Sequence, residues 1–167
     1  MFVNPITHLI SFIQETYPVK LYPKVLEVAS GNGNLAIKLS QLGYQVTAMD
    51  PKTSNKILPK NVAIKGELFG DNTPISDYDL GIAVFPCGTS EKFIRNFVLN
   101  EKSFLLLPCV PNSCSLSSEF SDYSNVEEWI SYLKGIDYRI ERKNLFDNSQ
   151  VMTRELGAFK NLLYLKK

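Results

Sequence analysis

The sequence predicts an α/β fold in which a mostly parallel sheet is covered by helices on both faces, within a single domain spanning residues 1–167. Two stretches, Leu80 to Phe85 and Phe104 to Leu107, are continuous apolar runs, as expected of strands buried on both sides. Strand-like and helix-like patterns alternate along the chain, the arrangement from which parallel sheets are built. A strand at Lys24 to Ala29 also runs directly into the small residues Ser30-Gly31-Asn32-Gly33 and from there into a helix. Such a turn needs residues without bulky side chains, so that the backbone bends and a ligand can approach the amides at the helix start. With 167 residues, 44% apolar and 21% charged, the chain has the size and composition to bury one core.

The first helix starts at Asn4-Pro5, with proline at its first position, and Ile6, Leu9, Ile10, Ile13 and Tyr17 recur at helical spacing. This helix and its connection occupy residues 1–23, and Pro18 and Pro23 frame the passage into the first strand. After the glycine loop, Leu35, Ala36, Leu39 and Leu42 mark a second helix, which Gly43 stops. Tyr44 to Met49 is the second strand, ending at Asp50-Pro51, and Val62 to Leu68 is a weaker third. The fourth strand ends at Pro86-Cys87-Gly88, and a short helix around Ser90 to Val98 leads into the fifth, Ser103 to Val110. From Pro111 to Tyr123 there is no periodicity, which is the profile of a lid or binding segment. Asn125 caps a helix presenting Val126, Trp129, Ile130 and Leu133, and Gly135 ends it. Tyr138 to Leu145 and Ala158 to Leu165 read as two closing strands joined by a polar loop.

Eighteen basic residues against seventeen acidic ones give a net charge of +1, without any run of Lys and Arg, so nucleic acid is not indicated as a partner. The N-terminus lacks a basic start and a small-residue cleavage site, and no apolar stretch approaches the ~18 residues that span a bilayer. A soluble, cytoplasmic protein without membrane attachment is expected. The cysteines, Cys87, Cys109 and Cys114, are odd in number and show no C-x-x-C spacing, and His8 is the single histidine. They read as thiols in a reducing cytosol, with no metal site.

The glycine loop is compatible with two cofactors. Gly31, Gly33 and Ala36 satisfy the dinucleotide pattern G-x-G-x-x-G/A, and Asp50 stands where a ribose-binding carboxylate is expected. Against this, a carboxylate at Glu27 would repel a pyrophosphate. The chain also lacks a Tyr-x-x-x-Lys pair, which leaves a dehydrogenase short of a proton donor.

Glu27-Val28-Ala29-Ser30-Gly31-Asn32-Gly33 resembles the first motif of the class I S-adenosylmethionine-dependent methyltransferases, an acidic residue followed by an apolar one and a small-x-Gly-x-Gly loop. Ala29 replaces the commonest first glycine. Asp50 in VTAMDP matches the acidic residue that ends the family's second strand, Glu67 in KGELF is the nearest match to a third position, and Asp79 to Phe85 looks like the fourth segment. The resemblance runs from about Lys24 to Lys167 and is similar, at Pro86-Cys87, to small bacterial methyltransferase-like proteins. It implies a Rossmann-like class I methyltransferase fold: three layers, α/β/α, with a seven-stranded, mostly parallel sheet whose last strand, Ala158 to Leu165, returns antiparallel.

The resemblance further implies S-adenosylmethionine as cofactor, bound by Glu27, Ala29, Ser30, Gly31, Asn32, Gly33, Asp50, Pro51, Glu67, Leu68 and Phe85. Glu27 suits the cationic ammonium, the amides of Gly31 and Gly33 border the methionine and ribose, and Asp50 accepts from both ribose hydroxyls. Residues near Pro51, Leu68 and Phe85 sandwich the adenine. The acceptor, a small molecule or a site presented by a partner, approaches the carboxyl ends of the fourth and fifth strands. There Cys87 and Cys109 are the candidates for a catalytic residue, because cytosine C5 methyltransferases also carry a Pro-Cys after the fourth strand. That chemistry, with Cys87 as nucleophile, is one alternative to general methyl transfer. A module that binds the cofactor without turnover is another.

Overall fold

The structure, a computed structural model, describes residues 5–53, 58–109, 125–146 and 149–155. Seven strands form one sheet: β1 (Lys24–Val28), β2 (Gln45–Met49), β3 (Val62–Lys65), β4 (Leu80–Val84), β5 (Ser103–Leu107), β6 (Glu141–Phe146) and β7 (Ser149–Arg154). Their spatial order is β3-β2-β1-β4-β5-β7-β6. The first five are parallel, and β7 runs antiparallel to both β5 and β6. The expected seven-stranded, mostly parallel sheet with an antiparallel last strand is therefore present. Four helices accompany it among the described residues: α1 (Pro5–Thr16), α2 (Asn34–Gln41), α3 (Ser90–Leu99) and α4 (Val126–Gly135).

Strand alternation builds the three layers. In β5, Phe104 and Leu106 face a core with Phe93 and Phe97 of α3 and Trp129, Ile130 and Leu133 of α4. Leu105 and Leu107 point the other way, into a core with Leu9 and Ile13 of α1 and Leu35, Ala36 and Leu39 of α2. β1 splits likewise, Leu26 and Val28 toward α3 and α4, Val25 toward α1 and α2. Burying apolar side chains on both faces is what makes these strands read as unbroken apolar runs. The buried Tyr17 hydroxyl donates to the Phe104 carbonyl at 2.6 Å, fastening the end of α1 to β5.

Several boundaries differ from expectation, the fifth strand among them, which ends at Leu107. The third strand is confined to Val62–Lys65, and Gly66 to Leu68 lie beyond it. The sixth begins at Glu141, after a turn in which Ile140 donates to the Asp137 carbonyl. The closing strand is Ser149–Arg154, inside the stretch expected to be a polar loop. It is buried at Val151, Met152, Thr153 and Arg154. Arg154 is 0% exposed because its guanidinium donates to Asp137 at 2.9 Å and to the Lys102 carbonyl at 3.0 Å, so a charged residue sits where an apolar one signals a strand. The segment Ala158 to Leu165, expected as the last strand, lies outside the described residues, as does the Pro111 to Tyr123 segment.

Chain order reverses direction across the sheet between β1 and β4, since β2 and β3 extend one way and β4 and β5 the other. In open α/β sheets the crevice outside the carboxyl ends of the strands at that point is where ligands bind.

Candidate functional site

The carboxyl end of β1 meets that reversal point, with Val28 paired to Met49 of β2 on one side and to Ala83 of β4 on the other. Beyond it the chain turns through Ala29 (φ 56°), Gly31 (φ 53°) and Gly33 (φ 73°), all in the left-handed region. That conformation costs an L-residue roughly 1–2 kcal/mol, which is why small residues, two of them glycine, occupy the turn. Space around Gly31 and Gly33 is open, with nothing within 4 Å of where a Cβ would stand. Gly33 caps α2, so the loop delivers the amino end of that helix to the carboxyl end of β1.

Two carboxylates flank the loop. Asp50, directly after β2, accepts from the Gly31 amide at 3.0 Å through one oxygen and from the Lys52 amide at 2.7 Å through the other. Each oxygen retains a further lone pair for a ligand. Ser30 joins the same cluster, its amide donating to the Met49 carbonyl and its hydroxyl lying 3.3 Å from the Thr53 hydroxyl. Glu27 is 4% exposed, on the α1 and α2 face of β1, and its Oε2 atom is buried without a hydrogen-bond partner. Burial pushes its carboxyl up to about 8; the Ala36 amide works against this, and the charge of Asp50 adds to it.

The other expected cofactor residues stand around this centre. Pro51 and Asn32 are exposed beside Asp50 and Gly31. Glu67 and the 77%-exposed Leu68 follow the end of β3, next to β2, where Asp50 donates its amide to the Lys65 carbonyl. Phe85 directly follows β4 with φ 51° and is 58% exposed. For a large aromatic this is a strained backbone held by its neighbours, the amide donating to the Leu107 carbonyl at 2.8 Å. Asp79, by contrast, lies at the amino end of β4 and binds the Lys24 amide, which makes it a clasp between strands remote from the loop. His8 is exposed on α1.

At the carboxyl ends of β4 and β5, Cys87 and Cys109 converge, with their Sγ atoms 3.2 Å apart. Cys87 is exposed and Cys109 buried, and the Cys109 carbonyl accepts from the Trp129 indole at 3.1 Å. Sequence reasoning missed Thr53 and Trp129 as parts of this end of the molecule. Trp129 read only as a core residue, and nothing in the sequence marks Thr53. A cleft lined by Lys24, Gln45, Lys60, Asn61 and Asp77 opens at the amino ends of the strands and contains none of the expected site residues. Among the described residues no group of three or more His, Cys, Asp and Glu is placed to hold a metal ion, and no helix is long and apolar enough to cross a membrane.

Comparison of this architecture with solved structures returns methyltransferases. An rRNA methylase from Streptococcus thermophilus superposes with a TM-score of 0.58 at 17% identity, over 93% of this chain and 99% of that one. The chain has the class I methyltransferase fold. Human N-acetylserotonin methyltransferase in complex with SAM matches with a TM-score of 0.58 at 12% identity, covering 87% of this chain and 51% of that chain. A methyltransferase from an antibiotic biosynthesis pathway of Anabaena variabilis matches with a TM-score of 0.56 at 13% identity, over 82% and 64%. The chain therefore spans half to two thirds of the length of these two larger methyltransferase-fold structures. No protein-family model and no curated protein sequence matches it.

Proposed function

We propose that this chain binds S-adenosylmethionine at the Ser30–Gly33 loop and transfers its methyl group to a small molecule or to a site presented by a partner. The observation that carries this reading is Glu27, a buried carboxyl beneath the loop with one oxygen lacking any partner. Leaving such a group unsatisfied costs about 1–3 kcal/mol, which the ammonium of the cofactor's methionine end would offset, directly or through a water. The phosphates of a dinucleotide would instead meet a negative charge whenever Glu27 is ionised. Asp50 supplies the ribose acceptor, held in place by the Gly31 and Lys52 amides. Leu68 and Phe85, both exposed, supply apolar surface for the adenine.

Bound S-adenosylmethionine would bring an electrophilic methyl group, so the task of the chain is to orient it and to keep water from the transfer path. The similar structures include enzymes named for rRNA, for N-acetylserotonin and for antibiotic biosynthesis, so no single acceptor class carries over. Equilibrium dialysis with radiolabelled S-adenosylmethionine tests the cofactor. Retention that S-adenosylhomocysteine displaces and NADH does not supports the proposal, whereas displacement by NADH overturns it. Retention without methyl transfer to any of a broad acceptor panel would favour a cofactor-binding module.

A second reading, a cytosine C5-type reaction, is favoured by the exposure of Cys87 beside the thiol of Cys109. One thiolate would add to a pyrimidine ring and activate it toward the methyl group. A denaturation-resistant adduct between Cys87 and a 5-fluoropyrimidine nucleotide, formed in the presence of S-adenosylmethionine, is its signature.

A further inference from the structure

We propose that Cys87 and Cys109 form a reversible dithiol–disulfide pair at the carboxyl ends of β4 and β5, beside the crevice outside β1 and β4. The pairing stands on geometry, and its bearing on acceptor entry rests on the methyltransferase reading above. β4 and β5 are adjacent and parallel, with Val84 opposite Leu107, and the register continues one step further through the Phe85 amide and the Leu107 carbonyl. Cys87 follows that bond by two residues on one chain segment and Cys109 by two on the other. The two sulfurs already stand 3.2 Å apart, and a bond between them requires an approach to about 2.0 Å.

Exposure divides the roles. Cys87 is reachable from solvent, while Cys109 is 4% exposed and held from behind, where its carbonyl accepts from the Trp129 indole. The Cys87 thiolate attacks a small disulfide such as oxidised glutathione, forming a mixed disulfide and releasing one glutathione thiol. The Cys109 thiolate then attacks the Cys87 sulfur, forms the Cys87–Cys109 bond and expels the second glutathione. Two electrons pass from the protein to the glutathione disulfide, and the two thiol protons end on the two released thiols. The product ties the Pro86-Cys87-Gly88 turn to the end of β5, directly beside the exposed Phe85. That is the rim over which an acceptor would have to pass.

The test treats the full chain with excess oxidised glutathione, quenches with acid, alkylates the remaining thiols and maps the peptides. The expected product joins the Cys87 and Cys109 peptides, forms equally in Cys114→Ser, and reverts with dithiothreitol. In Cys109→Ser the glutathione adduct should persist on Cys87, because the resolving thiol is gone. Alkylation of both Cys87 and Cys109 after oxidation, a lasting glutathione adduct on Cys87 in the wild type, or a bond to Cys114 would overturn the proposal. S-adenosylhomocysteine binding should be retained in both the oxidised and reduced forms, since the Ser30–Gly33 loop and Asp50 are untouched. Its absence from both forms would remove the methyltransferase reading and leave the disulfide result standing.

Discussion

The Asp50 carboxylate accepts a hydrogen bond from the backbone amide of Gly31 at 3.0 Å, across nineteen residues of sequence. This bond links the acid at the end of β2 to the tip of the loop that follows β1. A ribose lying against Asp50 therefore also lies against the loop amides.

Replacing Asp50 by Ala removes the loop clamp together with the carboxylate proposed to accept from the ribose. Affinity for S-adenosylhomocysteine should fall by ~10-fold or more, as expected when two charge-assisted bonds are lost. Thermal-shift titrations of the two proteins over a range of ligand concentrations measure the ratio. Equal affinities would show that Asp50 does not touch the ligand.

Glu27 makes stability and binding depend on pH. Its carboxyl is raised from 4.5 to about 8, so between those values the folded chain holds a proton that the unfolded chain has released. Stability of the ligand-free protein should therefore be greatest, with respect to this group, below pH 4.5 and should decline as pH rises toward 8. Glu27→Gln should flatten that decline in urea titrations. A bound ammonium favours the ionised carboxylate, so ligand binding near neutral pH should release a proton. Calorimetry in buffers of different ionisation enthalpy detects that release, and Glu27→Gln should abolish it.

Gly81 has no room for a side chain, because a Cβ there would lie 2.2 Å from the Phe97 ring, which packs within a cluster including Phe93 and Phe104. Gly81→Ala should destabilise the fold by about 1–3 kcal/mol, the range for overpacking a core. Adding Phe97→Leu should recover part of the loss in chemical denaturation.

Arg154 joins three parts of the chain, donating to Asp137 at 2.9 Å, to Glu101 at 3.3 Å and to the Lys102 carbonyl at 3.0 Å. Asp137 also accepts from Arg139, whose hydrogen bonds are the main reason its carboxyl is lowered to about 2. Asp137→Ala should cost about 3–5 kcal/mol, because it strips a fully buried guanidinium of its closest carboxylate. In the parent protein the contribution of Asp137 should be present above pH 3.8 and fade as pH falls toward 2. Urea midpoints measured down that range follow it.

Sequence reasoning reached the elements whose physics is local. The apolar runs of β4 and β5, the small residues after β1, the Asn125 cap that accepts from the Glu128 amide, and Gly43 behind α2 all declare themselves within a few residues. β7 did not, because its buried Arg154 depends on partners 17 and 53 residues away. Gly81 read as one more apolar position, since only the ring of Phe97, on the helix packed over β4, shows why it must be glycine. The site divides along the same line. Glu27, Gly31 and Asp50 were legible as a pattern, whereas the burial of Glu27 and the thiol contact of Cys87 with Cys109 arise only when separate strands are laid side by side.

The most direct measurement is a calorimetric titration of the wild-type chain with S-adenosylhomocysteine. The predicted result is saturable binding of one equivalent with a dissociation constant well below the millimolar range. The absence of any saturable heat up to millimolar ligand would contradict the assignment of the Ser30–Gly33 loop to this cofactor.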